Sequence, residues 1–345
     1  MQISTNQRVF YLDLLRIAAT FAVVFVHVSS HGFFKYPMFT ANWYVSTVGD
    51  GLVRWCVPIF VMISGALFLR PEREVSYREI LQKRIPRLLL AYVFWALVYV
   101  LYGFVQTDFA DFTVKRLVRR CIVAPRIHLW FLPMLAGVYL LVPVLRRIAA
   151  DKKLLRYVLL VWAGYIWVVS VGLSDVFLRL QFSNIFAVNS VVGYAGYFLL
   201  GYYLSVQDFS KSQRRWIYLL GLCGLLVTVF GTLWISGRME QPDETFLKEL
   251  NLHVIATSAA LFVAAKQLEP RCGEALLRFG RFVGSDLFGI YLVHELWLSI
   301  AQDYGLRFCC SEWVMLPALT VAIFILSLFT TKLIRLVPGL RRVVQ

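Results

Sequence analysis

The chain has 345 residues, of which 59% are hydrophobic and 16% charged, with a mean hydropathy of +0.69 and a formal net charge of +15. Too few polar side chains remain to cover a soluble domain of this size, so the composition demands a lipid solvent. The positive charge invites a nucleic-acid partner, but the basic residues gather between apolar runs, where contact with membrane lipids accounts for them and no nucleic acid is expected.

A spanning helix needs about 20 largely apolar residues to cross a hydrocarbon layer roughly 30 Å thick. Ten such runs follow one another, near 11–30, 47–69, 86–106, 128–145, 154–173, 186–205, 216–236, 252–268, 284–302 and 313–334. They are continuous rather than alternating at period two, which argues against a barrel. The expected fold is an all-α polytopic membrane helical bundle of about ten transmembrane helices, one domain over residues 1–345. The first run is full length and lacks a small-residue cleavage site, so it is expected to stay as the first helix.

Lysine and arginine in the connections favour the cytoplasmic side. With the N-terminus inside, the inner connections hold Arg70, Arg73, Arg78, Lys83, Arg84 and Arg87, then Arg146, Arg147, Lys152, Lys153 and Arg156, then Lys211, Arg214 and Arg215, then Arg271, Arg278 and Arg281. The outer ones offer Lys35, Arg179 beside Asp175, and the acidic stretch from Glu240 to Glu249. Both termini are therefore expected to be cytoplasmic. The stretch Val114 to Arg126, VKRLVRRCIVAPR, dissents. It should be external yet is basic, and its spacing describes an amphipathic helix that either lies along the headgroups or folds back into the bundle.

Within the first run, Arg16 and His27 stand eleven residues apart. At 100° per residue that is about 20° beyond three full turns, with a rise of about 16 Å, so both share one helix face. Arginine near the end of a span can snorkel to the headgroups. An aligned ionisable pair is harder to dismiss, because such residues are costly at depth and usually face a protein interior where they act. Histidine suits a general base near neutral pH. Asp13 precedes Arg16 by three positions, a helical neighbour that either tunes the arginine or merely pairs with it. No P-loop, dinucleotide fingerprint or nucleophile elbow occurs, and no internal repeat is evident. The six cysteines form no C-x-x-C and have no histidines at metal spacing, so neither a metal nor a disulfide framework is expected.

The segment YLDLLRIAATFAVVFVH, with Asp13, Arg16 and His27, resembles the first span of the membrane-bound acyltransferase type 3 family. VPIFVMISGALFL (Val57 to Leu69) is similar to that family's second span, and KRIPRLLLAY (Lys83 to Tyr92) to the basic, proline-bearing start of its third. HLWFLPMLAGVYLLVPVL, GYFLLGYYLS and FGIYLVHELWL resemble later blocks, so the likeness runs over nearly the whole chain. Two departures are modest: Ile17 stands where a glycine is common, and Ile85 and Pro86 separate Arg84 from Arg87.

The resemblance implies transfer of an acyl group, commonly acetyl from acetyl-CoA, to a hydroxyl on a glycan or glycolipid at the bacterial inner membrane. Within the family, size and block pattern are similar to enzymes that acetylate a lipid-linked surface glycan. His27 is then the base that takes the acceptor's proton, with Arg16 and Asp13 completing the catalytic set. Lys83, Arg84 and Arg87 meet the CoA phosphates. His128, Trp130, Tyr139 and His294 are the candidate acceptor-binding residues. His128 and Trp130 alternatively just sit at the membrane interface, and His294 with Glu295 alternatively forms a buried pair that fixes helix packing. Ser64 and Gly65 are read as permitting close helix approach.

Two other readings stay open. A transporter or flippase for an anionic glycan lipid would also use intramembrane histidine and arginine, although neither an internal repeat nor paired broken helices is evident. A non-catalytic scaffold would tolerate loss of His27.

Overall fold

The computed structural model describes residues 10–73, 75–109, 112–123, 127–170, 188–268, 274–306 and 310–344. Among them are helices and no strands. Helix α1 is Phe10–Lys35, α2 Ala41–Val53, α3 Cys56–Phe68, α4 Ile85–Val105, α5 Val114–Val123, α6 Phe131–Ala150 and α7 Lys152–Ser170. They are followed by α8 Val188–Val206, α9 Lys211–Met239, α10 Leu252–Leu268, α11 Glu274–Val283, α12 Leu287–Asp303 and α13 Glu312–Leu336. Each of the ten predicted runs falls mainly on helix among the described residues, with 171–173 and 186–187 lying outside them. Among the described residues seven segments are long and apolar enough to cross a membrane, namely Phe10–Lys35, Ala41–Phe68, Tyr77–Val105, His128–Ala150, Lys211–Met239, Thr245–Leu268 and Glu312–Leu336. The expectations for Arg179, Asp175, Arg271, Cys272 and Cys309 lie outside the described residues.

Helix α1 runs through the middle of the bundle, in contact with α2, α3, α10, α11, α12 and α13. Its central position follows from composition: Leu12, Leu15, Ala19, Thr20, Val23, Val24 and Val28 are all buried, so several faces are apolar or small at once. A second contact brings α3 against α8. An added Cβ on Gly65 would stand 1.8 Å from the Phe198 carbonyl oxygen, and one on Gly201 2.1 Å from that of Met62. Only glycine lets these two backbones approach so closely, the small-residue packing typical of membrane helices.

The run expected over 47–69 is not one uninterrupted helix. It breaks at Arg54 and Trp55, between α2 and α3. Pro58 explains the break, because it has no N–H to donate to the Arg54 carbonyl. Regular bonding resumes one residue later, where the Ile59 amide donates to the Trp55 carbonyl at 3.1 Å. Pro86 acts in the same way ahead of α4. The turn Ile80–Arg84 is wound as π-helix, with the Ile85 amide reaching back to the Ile80 carbonyl.

The basic helix α5 folds back along α4 rather than projecting away. Its half-buried residues are Leu117 and Cys121, four apart, and the Tyr92 hydroxyl on α4 donates to the Cys121 carbonyl at 3.3 Å. Arg120 lies 4.7 Å from the centroid of the Phe104 ring. Polar anchors pin the bundle at both ends. Near the C-terminal end of α1, buried Glu312 accepts from Ser46 at 3.0 Å and Tyr36 at 3.1 Å, tying α13 to α2 and α1. At the other end, buried Asp286 at the start of α12 pairs with Arg335 and, at 3.1 Å, with Lys332.

Candidate active site

His27 faces a cavity of about 870 Å³. The face of α1 that lines it carries Val23, Val26, His27, Ser30, His31 and Phe34, the three-and-four spacing of one helical stripe. The opposite wall comes from α12, which contributes Tyr291 and Glu295, and from the turn before α6, which contributes His128 and Trp130. Exposed Phe34 and Glu244 mark its rim, at the C-terminal end of α1.

Three imidazoles meet beside this cavity. The His27 ring centroid is 5.1 Å from that of His294 and 6.1 Å from that of His128, and those two rings are 5.1 Å apart. A carboxylate completes the group, with Glu295 Oε2 lying 4.0 Å from His27 Nδ1. Glu295 is 3% exposed and His27 18%, so the acid is buried behind a base that still reaches the cavity. His294 Nδ1 sits 2.6 Å from the Tyr291 carbonyl, which only accepts, so that nitrogen carries the proton and Nε2 keeps its lone pair. The Tyr291 hydroxyl donates to the His128 carbonyl, and the Tyr99 hydroxyl donates to the Leu292 carbonyl at 2.6 Å, which holds the cluster's backbone. Ligand atoms of His27, His294 and Glu295 lie within 4.8 Å of one another, close enough to gather around a single cation.

Arg16 does not line this cavity. Although it shares a face of α1 with His27, its guanidinium pairs with Asp13 at 2.9 Å and joins a second group at the other end of α1. That group centres on Tyr139, which contacts Ser64 and lies in the field of Arg16, Arg73 and Arg84, with Arg87 beside it. Phe68 stacks near Tyr139 with ring centroids 4.9 Å apart, and Arg73 and Arg84 lie over Phe68 at 4.7 and 5.5 Å. Arg146 donates to the Phe68 carbonyl at 2.6 Å. The π turn has a direct consequence here. It carries Arg84 back over its own helix to Glu79, five residues earlier, with bonds of 2.9 and 2.6 Å from Nε and Nη2. Lys83 and Arg87 remain exposed on the surface of the same group.

The candidate residues therefore divide between two places. His27, His128, Trp130 and His294 assemble at or beside the cavity, whereas Arg16, Asp13, Lys83, Arg84, Arg87 and Tyr139 lie at the opposite end. Sequence reasoning left Arg54, Arg73, Arg146 and Glu249 out of the site. Arg73 and Arg146 passed as ordinary cytoplasmic anchors, while Arg54, within an apolar run and four residues after Asp50, carried a signal that could have been read.

A family model described as an acyltransferase domain matches residues 9–332. No curated protein and no solved structure matches the chain. The matched region includes both groups of residues, and the chain belongs to the acyltransferase type 3 family of integral membrane proteins.

Proposed function

We propose that this membrane acyltransferase moves an acetyl group from cytoplasmic acetyl-CoA to a hydroxyl of a lipid-linked cell-surface glycan, with both chain termini facing the cytoplasm of a bacterial inner membrane. The observation that carries the reading is the placement of His27 between a cavity and the buried Glu295 carboxylate at 4.0 Å. Size and block pattern, which resemble the enterobacterial common antigen O-acetyltransferase, support the lipid-linked acceptor.

Chemically, an alcohol attacking a thioester must lose its proton as the C–O bond forms. His27 accepts that proton on Nε2, and Glu295 beside Nδ1 stabilises the imidazolium. Collapse of the tetrahedral intermediate breaks the C–S bond, and the imidazolium returns the proton to the departing thiolate. Acetyl ester and free CoA result, and no redox partner is needed. His294 is available as a second proton acceptor through its unprotonated Nε2. At the other end of α1, Arg73, Arg84, Arg87 and Lys83 face the CoA phosphates as charge-assisted donors. Arg16 stands where the pantetheine arm passes towards His27, a separation of about 16 Å along the helix. No step uses a metal.

The test is transfer of radiolabelled acetyl from acetyl-CoA to a membrane glycolipid extract by the purified protein in nanodiscs, comparing wild type with His27→Ala. Label on lipid-linked glycan with wild type alone, while the variant remains folded and binds CoA, is the expected result. Consumption of acetyl-CoA by neither protein overturns the donor. The break at Arg54 is the one observation that favours a translocator, since discontinuous helices often bind transported anions. Movement of a glycan lipid across vesicles without acetyl-CoA consumption would establish that reading instead.

A further inference from the structure

His294 is held in the way that metal-bound histidines are held. Its Nδ1 donates to the Tyr291 carbonyl at 2.6 Å. Its Nε2, on a side chain with no exposed surface, has no hydrogen-bond partner among the described residues. An imidazole that binds a metal through one nitrogen usually gives its other N–H to a carbonyl or carboxylate, which fixes the tautomer and aims the lone pair. A buried lone pair left unsatisfied costs free energy, and a cation placed on it removes that cost.

Two further donors stand close to that lone pair. His27 Nδ1 is 4.0 Å from Glu295 Oε2, and one donor atom each from His27, His294 and Glu295 lie within 4.8 Å of one another. Zinc bonds of about 2.0–2.2 Å set tetrahedral donors about 3.4 Å apart, so the three side chains have to close by only about 1 Å. Two imidazoles and a carboxylate suit zinc or a neighbouring transition metal, whereas magnesium prefers an all-oxygen set. The fourth position opens on the cavity, to which His27 is 18% exposed, so an ion has a way in and a water can complete its coordination. Along the cavity wall Lys35 and Arg54 stand against Glu244, Glu249 and Glu295, and this balance does not repel a dication.

We propose that His27 Nδ1, His294 Nε2 and Glu295 Oε2 form an inhibitory zinc site, which an ion entering from the cavity occupies to switch the protein off. Ligation at Nδ1 leaves the ring proton of His27 on Nε2, the nitrogen that otherwise takes the acceptor's proton, and it draws Glu295 onto the metal and away from the imidazolium. The metal-free protein is the active form, and transfer itself needs no ion. Binding depends on the three side chains alone, whereas the inhibition rests on the acetyl-transfer reading, so the two are measured separately.

The experiment titrates Zn²⁺ into the full chain in nanodiscs against a chromophoric zinc indicator, after alkylation of the accessible thiols, exposed Cys223 and Cys310 among them. Label transfer from acetyl-CoA is followed in parallel. One zinc per chain should bind, transfer should fall in proportion to occupancy, and EDTA should restore it, while Mg²⁺ in large excess has no effect. His294→Gln and Glu295→Gln should each raise the dissociation constant for zinc by at least about tenfold, since loss of even a supporting contact costs that much. His31→Gln, on the same cavity wall but outside the group, should leave it unchanged. Co²⁺ bound to the wild-type chain should show the visible absorption of a tetrahedral site, a readout that needs no variant and so survives a substitution that fails to fold. Absence of a site at one zinc per chain, an affinity unchanged in both variants, equal weakening by His31→Gln, full transfer by the zinc-loaded protein, or stimulation by zinc overturns the proposal. One zinc held through these residues in a protein that transfers acetyl under no condition supports the site and instead removes the acetyl-transfer reading.

Discussion

Replacing Glu295 by glutamine isolates the electrostatic part of the proposed mechanism, because the side chain keeps its shape and loses only its charge. The carboxylate lies 4.0 Å from His27 Nδ1. At an effective dielectric of about 20 a unit charge pair at that distance is worth about 4 kcal/mol, and at about 40, closer to a site open to cavity water, about 2 kcal/mol. That stabilisation acts on the imidazolium formed in the transition state and not on the neutral ground state, so it belongs in kcat. With each 1.36 kcal/mol worth a factor of ten, Glu295→Gln should lower kcat between roughly 30- and 1000-fold. The KM for acetyl-CoA should change by no more than about twofold, since the arginine group lies at the other end of α1. Initial rates in nanodiscs over a range of acetyl-CoA concentrations give both constants, and CoA binding serves as the control for folding. A variant that keeps kcat within about threefold while remaining folded would refute the assignment of Glu295 as the partner of His27.

Four further outcomes follow from the same geometry. Arg84→Gln together with Arg87→Gln should raise the dissociation constant for CoA by about tenfold or more, as loss of charge-assisted bonds at roughly 1.5–3 kcal/mol each implies; equal weakening of glycolipid binding in equilibrium dialysis would indicate a folding defect instead. Gly65→Ala places a methyl group 1.8 Å from the Phe198 carbonyl oxygen, so α3 and α8 must separate and thermal unfolding in detergent should show a destabilisation of about 1–3 kcal/mol; an unchanged melting temperature contradicts the close crossing. Asp50→Asn leaves half-buried Arg54 without its charged bidentate partner and should cost about 2–3 kcal/mol by the same assay, more than an exposed pair would. Prolonged dialysis against a chelator should leave acetyl transfer intact, whereas loss of activity restored by zinc would show that His27, His294 and Glu295 hold a metal.

Much of this protein is legible in its residues because local composition decides it. Apolar run length locates the spans, as hydrocarbon thickness leaves little choice of element or extent. Helical periodicity sets Arg16 and His27 on one face, since the angle between two residues of one helix depends only on their separation. The ordered blocks of the first, second and third spans led to the family that the comparison established.

Tertiary packing decided the rest, because the rotation of one helix against another is set by contacts between residues far apart in the chain. Glu295 stands 268 positions after His27 and approaches it only because α12 packs on α1. His128 reaches the same cavity because the 3₁₀ turn Ile127–Trp130, ahead of α6, places its ring beside those of His27 and His294. The same packing separates Arg16 from His27 despite their shared face, assigning the first to the Tyr139 group and the second to the cavity. Pro58 announces a break in the sequence, but the position of Arg54 on the cavity rim depends on α1, α9 and the 240–251 connection closing around it. The residue types were therefore readable from the chain, while the division into a basic end and an acidic, histidine-lined cavity came from packing between helices.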